Sequence, residues 1–432
     1  MGSCWLPTLF LVCVTVLLRE RSGSWFAPST FIGALWSIYL SLSQLLLNYN
    51  VAPLGIWLLV VLVVVIQLAA ALGEMNSGTV GPSLADAERV SSLRLRVRRA
   101  CWIFLGVALS ACVYFSFASF EIFDLSNTFE SLIRIGGLWT LFRYDGNVDP
   151  WPLRLAAIWP YPTALFGGLL WGVAQDRKDR GLSFASLLPA LLISILLGGR
   201  EGFLIGLAAW LGGNWAATRA RTRERRRLFN FKTVSGLVLT GGFLLFLFVL
   251  VFAVRDAVNG DDLHLEMNGN QTRDYMFGPP LAFASWIQNY DPDIHGWGGL
   301  TFAGAFDLLG LRRRVIGTYT SYVNTIGSEN TNIFTMFRGL IEDFTLLGAA
   351  AVCGLFGYLS GKTYSSPSCR PWFILGLSAY YAVALFSPLF SFFSTNSPIF
   401  AFVVAAIVLG PLKPSPTPLT KKRRVSNVGA IA

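Results

Sequence analysis

Apolar runs close to the length of a bilayer crossing recur along this 432-residue chain, separated by short polar loops and by one long polar stretch. A helix crossing the hydrocarbon core needs about 20 predominantly apolar residues, and roughly 17 suffice when flanking side chains snorkel. Eleven stretches meet or approach that length: Cys4 to Leu18, Phe31 to Leu47, Ile56 to Leu72, Cys101 to Phe123, Leu155 to Ala174, Leu182 to Gly199, Phe203 to Ala217, Val234 to Val254, Thr345 to Leu359, Pro371 to Leu389 and Pro398 to Leu409. Hydrocarbon offers no partner to a backbone N–H or C=O, so such runs must be helices that satisfy their own hydrogen bonds. With 54% hydrophobic and 13% charged residues and a mean hydropathy of +0.56, the chain carries too much apolar surface for a soluble globular fold. The expected fold is an all-α polytopic integral membrane protein, a single transmembrane domain over residues 1–432 with about 11 transmembrane helices.

Orientation follows from Lys and Arg, which concentrate in cytoplasmic loops. An outside N-terminus places 24 of the 34 basic residues on the cytoplasmic side. These include the runs Arg94 to Arg99, Arg219 to Arg227 and Lys421 to Arg424, the last within a basic cytoplasmic tail over 410–432. Each run flanks a span or ends the chain, which fits topology and contact with anionic membrane lipid; no nucleic-acid partner is implied. The same orientation puts Arg255 to Asp343, 89 residues between two late spans, on the outer side as one long extracytoplasmic loop. The first span has neither a basic n-region nor a small-residue cleavage site, so it is expected to be retained. Six cysteines show no disulfide framework, and no spacing suits a metal.

Titratable groups are costly inside hydrocarbon, so polar chemistry is expected at the outer polar segments. The long loop holds both histidines, His264 and His295, six arginines and eleven carboxylates. It closes on Arg338, Glu342 and Asp343 just before a span. On a helix Arg338 and Glu342 share a face while Asp343 turns away by about 100°. One carboxylate can then orient the arginine and leave the other free as a general base, or the trio is simply an interfacial ion pair. Within the loop, Leu281 to Trp286 and Thr301 to Leu311 fit short helices between Gly- and Pro-rich breaks. Gly198-Gly199-Arg200-Glu201-Gly202 forms a tight outer turn, where Arg200 could grip a phosphate with its planar fork or merely snorkel. A second outer segment, 124–154, has the spacing of an amphipathic interfacial helix and carries Arg134 at headgroup depth. Arg255, Arg273, Arg314 and Asn332 complete the candidate substrate contacts.

Three stretches carry a resemblance: Trp25-Phe26-Ala27-Pro28-Ser29-Thr30, Gly199-Arg200-Glu201-Gly202 with Gly212-Gly213-Asn214, and Thr331-Asn332-Ile333-Phe334-Thr335-Met336-Phe337-Arg338 with Asp343-Phe344. Together they resemble the bacterial oligosaccharide repeat-unit polymerases, the O-antigen polymerase family. The likeness spreads over most of the chain. One departure is that Asp-Phe-Gly would be expected before the following span, where this chain has Asp343-Phe344-Thr345.

The resemblance implies a multi-pass enzyme of the bacterial inner membrane. It would move a growing glycan from undecaprenyl pyrophosphate onto the terminal sugar of a new lipid-linked repeat unit, at the outer face and without a cofactor. Its donor and acceptor would be undecaprenyl-pyrophosphate-linked oligosaccharides, and its pathway partners a flippase and a chain-length regulator. Arg338, Glu342 and Asp343 would then be catalytic, with Arg200, Arg255, Arg273, Arg314, Asn332, Arg134, His264 and His295 on substrate. The residues themselves fit one part of this: a pyrophosphate leaving group is already activated, so no nucleotide-binding loop is needed. An O-antigen ligase-like transferase shares these requirements. A transporter or flippase would instead place ionisable residues in mid-span.

Overall fold

A computed structural model describes residues 5–47, 53–75, 84–126, 128–144, 150–222, 273–291, 296–311, 319, 323–324, 330–331, 333–365 and 370–410. They form an all-α membrane protein. Among the described residues, five helical segments are long and apolar enough to cross a bilayer: Pro28–Leu46, Pro53–Met75, Val90–Ile122, Arg177–Leu196 and Met336–Ser365. Two further apolar helices, Pro371–Phe386 and Asn396–Leu409, are shorter. In chain order the helices are α1 (Trp5–Ser22), α2 (Pro28–Leu46), α3 (Pro53–Met75), α4 (Leu84–Ile122), α5 (Phe129–Tyr144), α6 (Trp151–Ile158), α7 (Pro160–Val173), α8 (Arg177–Ala185), α9 (Leu188–Leu196) and α10 (Arg200–Thr222). They continue with α11 (Pro279–Trp286), α12 (Ala303–Leu308), α13 (Met336–Ser365), α14 (Pro371–Phe386) and α15 (Asn396–Leu409). A two-residue antiparallel ladder, Val323–Asn324 with Asn330–Thr331, pairs Val323 with Thr331 and Asn324 with Asn330.

Several expected spans differ in detail. Leu155 to Ala174 is divided into α6 and α7 at Trp159, because Pro160 and Pro162 remove backbone donors and start a new helix instead of continuing the old one. Leu182 to Gly199 is divided between α8 and α9, with Pro189 at the start of α9. The basic run Arg94 to Arg99 is part of α4, not a loop. It stays helical because Arg94 donates to Asp179 and Gln175 and pairs with Asp176, while Arg98 lies 3.4 Å from the same Asp179. The expected span Val234 to Val254 lies outside the described residues.

Small residues decide which helices meet. A methyl group on Gly73 of α3 would fall 2.3 Å from the Tyr358 carbonyl of α13, and one on Gly361 of α13 would fall 2.0 Å from the Ala70 carbonyl of α3. Such backbone-to-backbone approach is how membrane helices gain dispersion energy where lipid removes the hydrophobic drive. In the same way α10 lies between α7 and α14, with Gly213 against Leu165 and Leu169 and Gly212 against the Ser378 carbonyl. The Trp25 to Thr30 stretch is a junction, half-buried at Trp25 and Phe26 and buried from Ala27 onward. Glu74 accepts from the Ser29 backbone N–H at 2.9 Å and its hydroxyl at 2.8 Å, capping the start of α2. Tyr380 and Tyr381 donate to the Pro28 and Phe26 carbonyls.

The segment 124–154 contains a helix, α5, as its spacing predicts. α5 buries Ile135 and Trp139 in a small core shared with Cys112 and Phe115 of α4 and Ile193 and Leu196 of α9.

Candidate functional site

Thr345 interrupts α13 with φ 61° and ψ 175°, a region populated essentially by glycine. It separates a first segment, beginning at Met336, from the long helix that packs on α3. The first segment is seated inside the bundle: the Met336 N–H donates to the Ser387 carbonyl at 3.0 Å, and the Phe337 ring lies 5.3 Å from that of Trp36. The expected glycine of Asp-Phe-Gly therefore coincides with a backbone position that needs positive φ.

On this segment Arg338 is buried and enclosed by rings. Its guanidinium carbon is 3.9 Å from the centroid of Tyr319, 4.0 Å from Phe334 and 5.2 Å from Trp286. Its Nε donates to Glu342 at 2.8 Å across one helical turn. A desolvated guanidinium over aromatic faces gains about 2 kcal/mol, and the planar fork suits stacking where an ammonium does not. Tyr319 and Phe334 share a buried cluster with Ala282 of α11. Burial, reinforced by the Glu342 carboxylate, raises the Tyr319 phenol above its ordinary range, so it keeps its proton and can donate.

Asp343 points away from Arg338, as the helical spacing requires, but it is not left free. Its carboxylate accepts from the backbone N–H groups of Thr301 at 2.6 Å and Leu300 at 3.1 Å. The Gly296 N–H donates to the Glu342 carbonyl at 2.9 Å, and a side chain on Gly296 would collide with Asp343 at 2.1 Å. Asp343 thus holds the 296–301 turn against α13, while Glu342 is the carboxylate on the arginine.

The structure brings together Arg338, Glu342 and Asp343 from the sequence candidates. Arg200 opens α10 directly after a turn at Gly198 with φ 62°. The α5 backbone rests on that turn, since a methyl group on Gly136 would meet the Ile195 carbonyl at 2.4 Å and the Gly198 nitrogen at 3.1 Å. Arg134, exposed on α5, is therefore two residues from a contact with the turn that leads into Arg200. Arg273 lies beside Asp274 at 3.4 Å. Arg255, Arg314, Asn332, His264 and His295 lie outside the described residues.

Missing from the sequence candidates are Trp286, Tyr319, Thr301 and Gly296. Gly296-Trp297-Gly298-Gly299 is visible as a break in pattern, but nothing in its spacing announces Asp343 as its partner. Among the described residues no group of three His, Cys, Asp or Glu side chains is gathered as metal ligands would be. Comparison with protein-family models, with curated proteins and with solved structures finds no match for this chain.

Proposed function

We propose that this chain is a polysaccharide polymerase of a bacterial inner membrane, with eleven spans, the loop from Arg255 to Asp343 outside and the C-terminus in the cytoplasm. The observation supporting this reading is the Arg338–Glu342 pair, buried among aromatic rings on the segment where the long polar loop meets the bundle. Glycosyl transfer from a lipid pyrophosphate needs a proton acceptor for the incoming hydroxyl and apolar faces for sugar rings, for which this pair and its rings are the candidates, and a cation near developing charge, which is assigned to another arginine.

In the proposed reaction an acceptor hydroxyl oxygen bonds to the anomeric carbon of the growing glycan. The bond from that carbon to the pyrophosphate oxygen breaks, and its electron pair leaves with undecaprenyl pyrophosphate. The hydroxyl proton passes to Glu342. Asp343 positions the 296–301 turn instead of taking the proton, and Arg200 on the outer turn is the candidate pyrophosphate contact. A flippase supplies the repeat units and a chain-length regulator limits the product.

Deletion of the chain from producing cells, followed by complementation, tests the reading. Loss should leave single repeat units attached to their final acceptor, and Arg200→Ala should fail to restore chain extension at normal protein level. Long chains accumulating on the lipid carrier would point to a ligase, and unchanged polymer would refute the assignment.

A further inference from the structure

Gly339 follows Arg338 on α13. A methyl group placed on it would lie 3.1 Å from the Tyr319 hydroxyl and 3.6 Å from Oγ1 of Thr301. Two hydroxyls therefore converge over a backbone position that has no side chain, beside the guanidinium. Thr301 Oγ1 is buried and has no hydrogen-bond partner among the described residues. Thr335 Oγ1, on the residue before α13, is likewise buried and without a hydrogen-bond partner among the described residues. Buried hydroxyls are ordinarily paired, so the unpaired Thr301 hydroxyl beside this glycine calls for a ligand group.

Charge decides the class of that group. Among the described residues, the charges that act on the Tyr319 hydroxyl are Glu342, Arg338 and Asp343, two carboxylates against one cation. A multiply charged pyrophosphate would meet net repulsion there. A neutral polyhydroxyl group would meet the hydroxyls of Tyr319 and Thr301, with apolar ring faces around them.

We propose that Gly339 floors a subsite for a sugar hydroxyl, bound by Tyr319 Oη and Thr301 Oγ1, and that Arg338 serves this glycan subsite and not the pyrophosphate. The inference rests on the polymerase reading and refines it: the occupant is the neutral acceptor sugar, and the diphosphate binds elsewhere.

Full-length protein in lipid nanodiscs, titrated by tryptophan fluorescence, tests it with two probes. One is a neutral oligosaccharide released by partial hydrolysis from the polymer of producing cells; the other is inorganic pyrophosphate. Gly339→Ala, which fills the niche, and Thr301→Val, which removes one hydroxyl at constant shape, should each weaken oligosaccharide binding about tenfold. Pyrophosphate binding should stay within about twofold of wild type. Thr301→Val should also keep or raise the unfolding temperature, because it removes an unpaired buried hydroxyl; this separates lost recognition from lost folding. Oligosaccharide binding at wild-type strength in both variants, no oligosaccharide binding in the wild type, or a selective loss of pyrophosphate binding would each overturn the subsite. If deletion abolishes polymer while both variants bind oligosaccharide normally, the subsite alone fails. If deletion leaves polymer intact, the polymerase reading fails, and the titration still decides whether the niche takes neutral glycan.

Discussion

Replacing Thr345 by glycine should stabilise the protein, although it removes a side chain from the middle of a helical run. At φ 61° and ψ 175° a β-branched residue carries strain of about 1–3 kcal/mol that glycine does not. Against this, the Thr345 hydroxyl accepts from the Gly348 N–H at 3.5 Å, a long cap whose replacement by glycine costs a few tenths of a kcal/mol. The extra freedom of glycine in the unfolded chain costs about 0.5–1 kcal/mol more. The balance is a gain of about 1 kcal/mol. Thr345→Ala keeps the strain and loses the cap, so it should be destabilised by roughly 0.5–2 kcal/mol. Purified protein unfolded by graded denaturing detergent would show the glycine variant above wild type and the alanine variant below it. Glycine and alanine variants falling by equal amounts would refute the idea that backbone strain sits at this residue.

Three further outcomes follow from the geometry. Arg338→Lys keeps the charge but loses the planar stack on Tyr319 and Phe334, so under the proposed polymerase function chain extension should fall by about tenfold or more; polymer length on gels would read it, and wild-type length would contradict the stacked role. Gly361→Val drives side-chain atoms into the Ala70 carbonyl and should separate α3 from α13, lowering stability by about 1–3 kcal/mol and broadening the monodisperse peak on gel filtration; an unchanged melting point would argue against close approach. Asp176 caps α8 by accepting from the Asp179 N–H, and that bond, with the Arg94 guanidinium, holds its carboxyl below the usual range. Its folded value is depressed, so its contribution is complete above the ordinary value near 3.8 and is lost as pH falls through the folded value. Asp176→Asn should therefore melt below wild type at neutral pH and converge with it in strong acid; a gap independent of pH would exclude the charged cap.

The membrane class was readable from run length alone, and α2, α3 and the main part of α13 fall where apolar length places them. The breaks before Pro160 and Pro189 were written in the sequence too, but apolar length counted without regard to missing donors joined the pieces. The pairing of Arg338 with Glu342 followed from four-residue spacing. What stayed hidden were contacts between side chains and distant backbone. The partners of Asp343 are the N–H groups of Leu300 and Thr301, which carry no residue-type signature, and Tyr319 reaches Arg338 only through the fold. The stretches that resemble the polymerase family divide likewise. Trp25 to Thr30 and Gly212-Gly213 serve packing, whereas Phe334 to Arg338 builds the candidate site.

The glycine contact between α3 and α13 also sets a schedule for biosynthesis. Gly73 of α3 meets Tyr358 of α13, so about 285 residues must be made before the Gly73 face can meet its partner. At 5–20 residues per second that is roughly 14–57 s. Through that interval the groove on α3 faces lipid or whatever neighbour the insertion machinery supplies. Its late filling defers this contact until only α14, α15 and the tail remain to be made, and truncated chains that stop before α13 leave the ribosome with that face of α3 open.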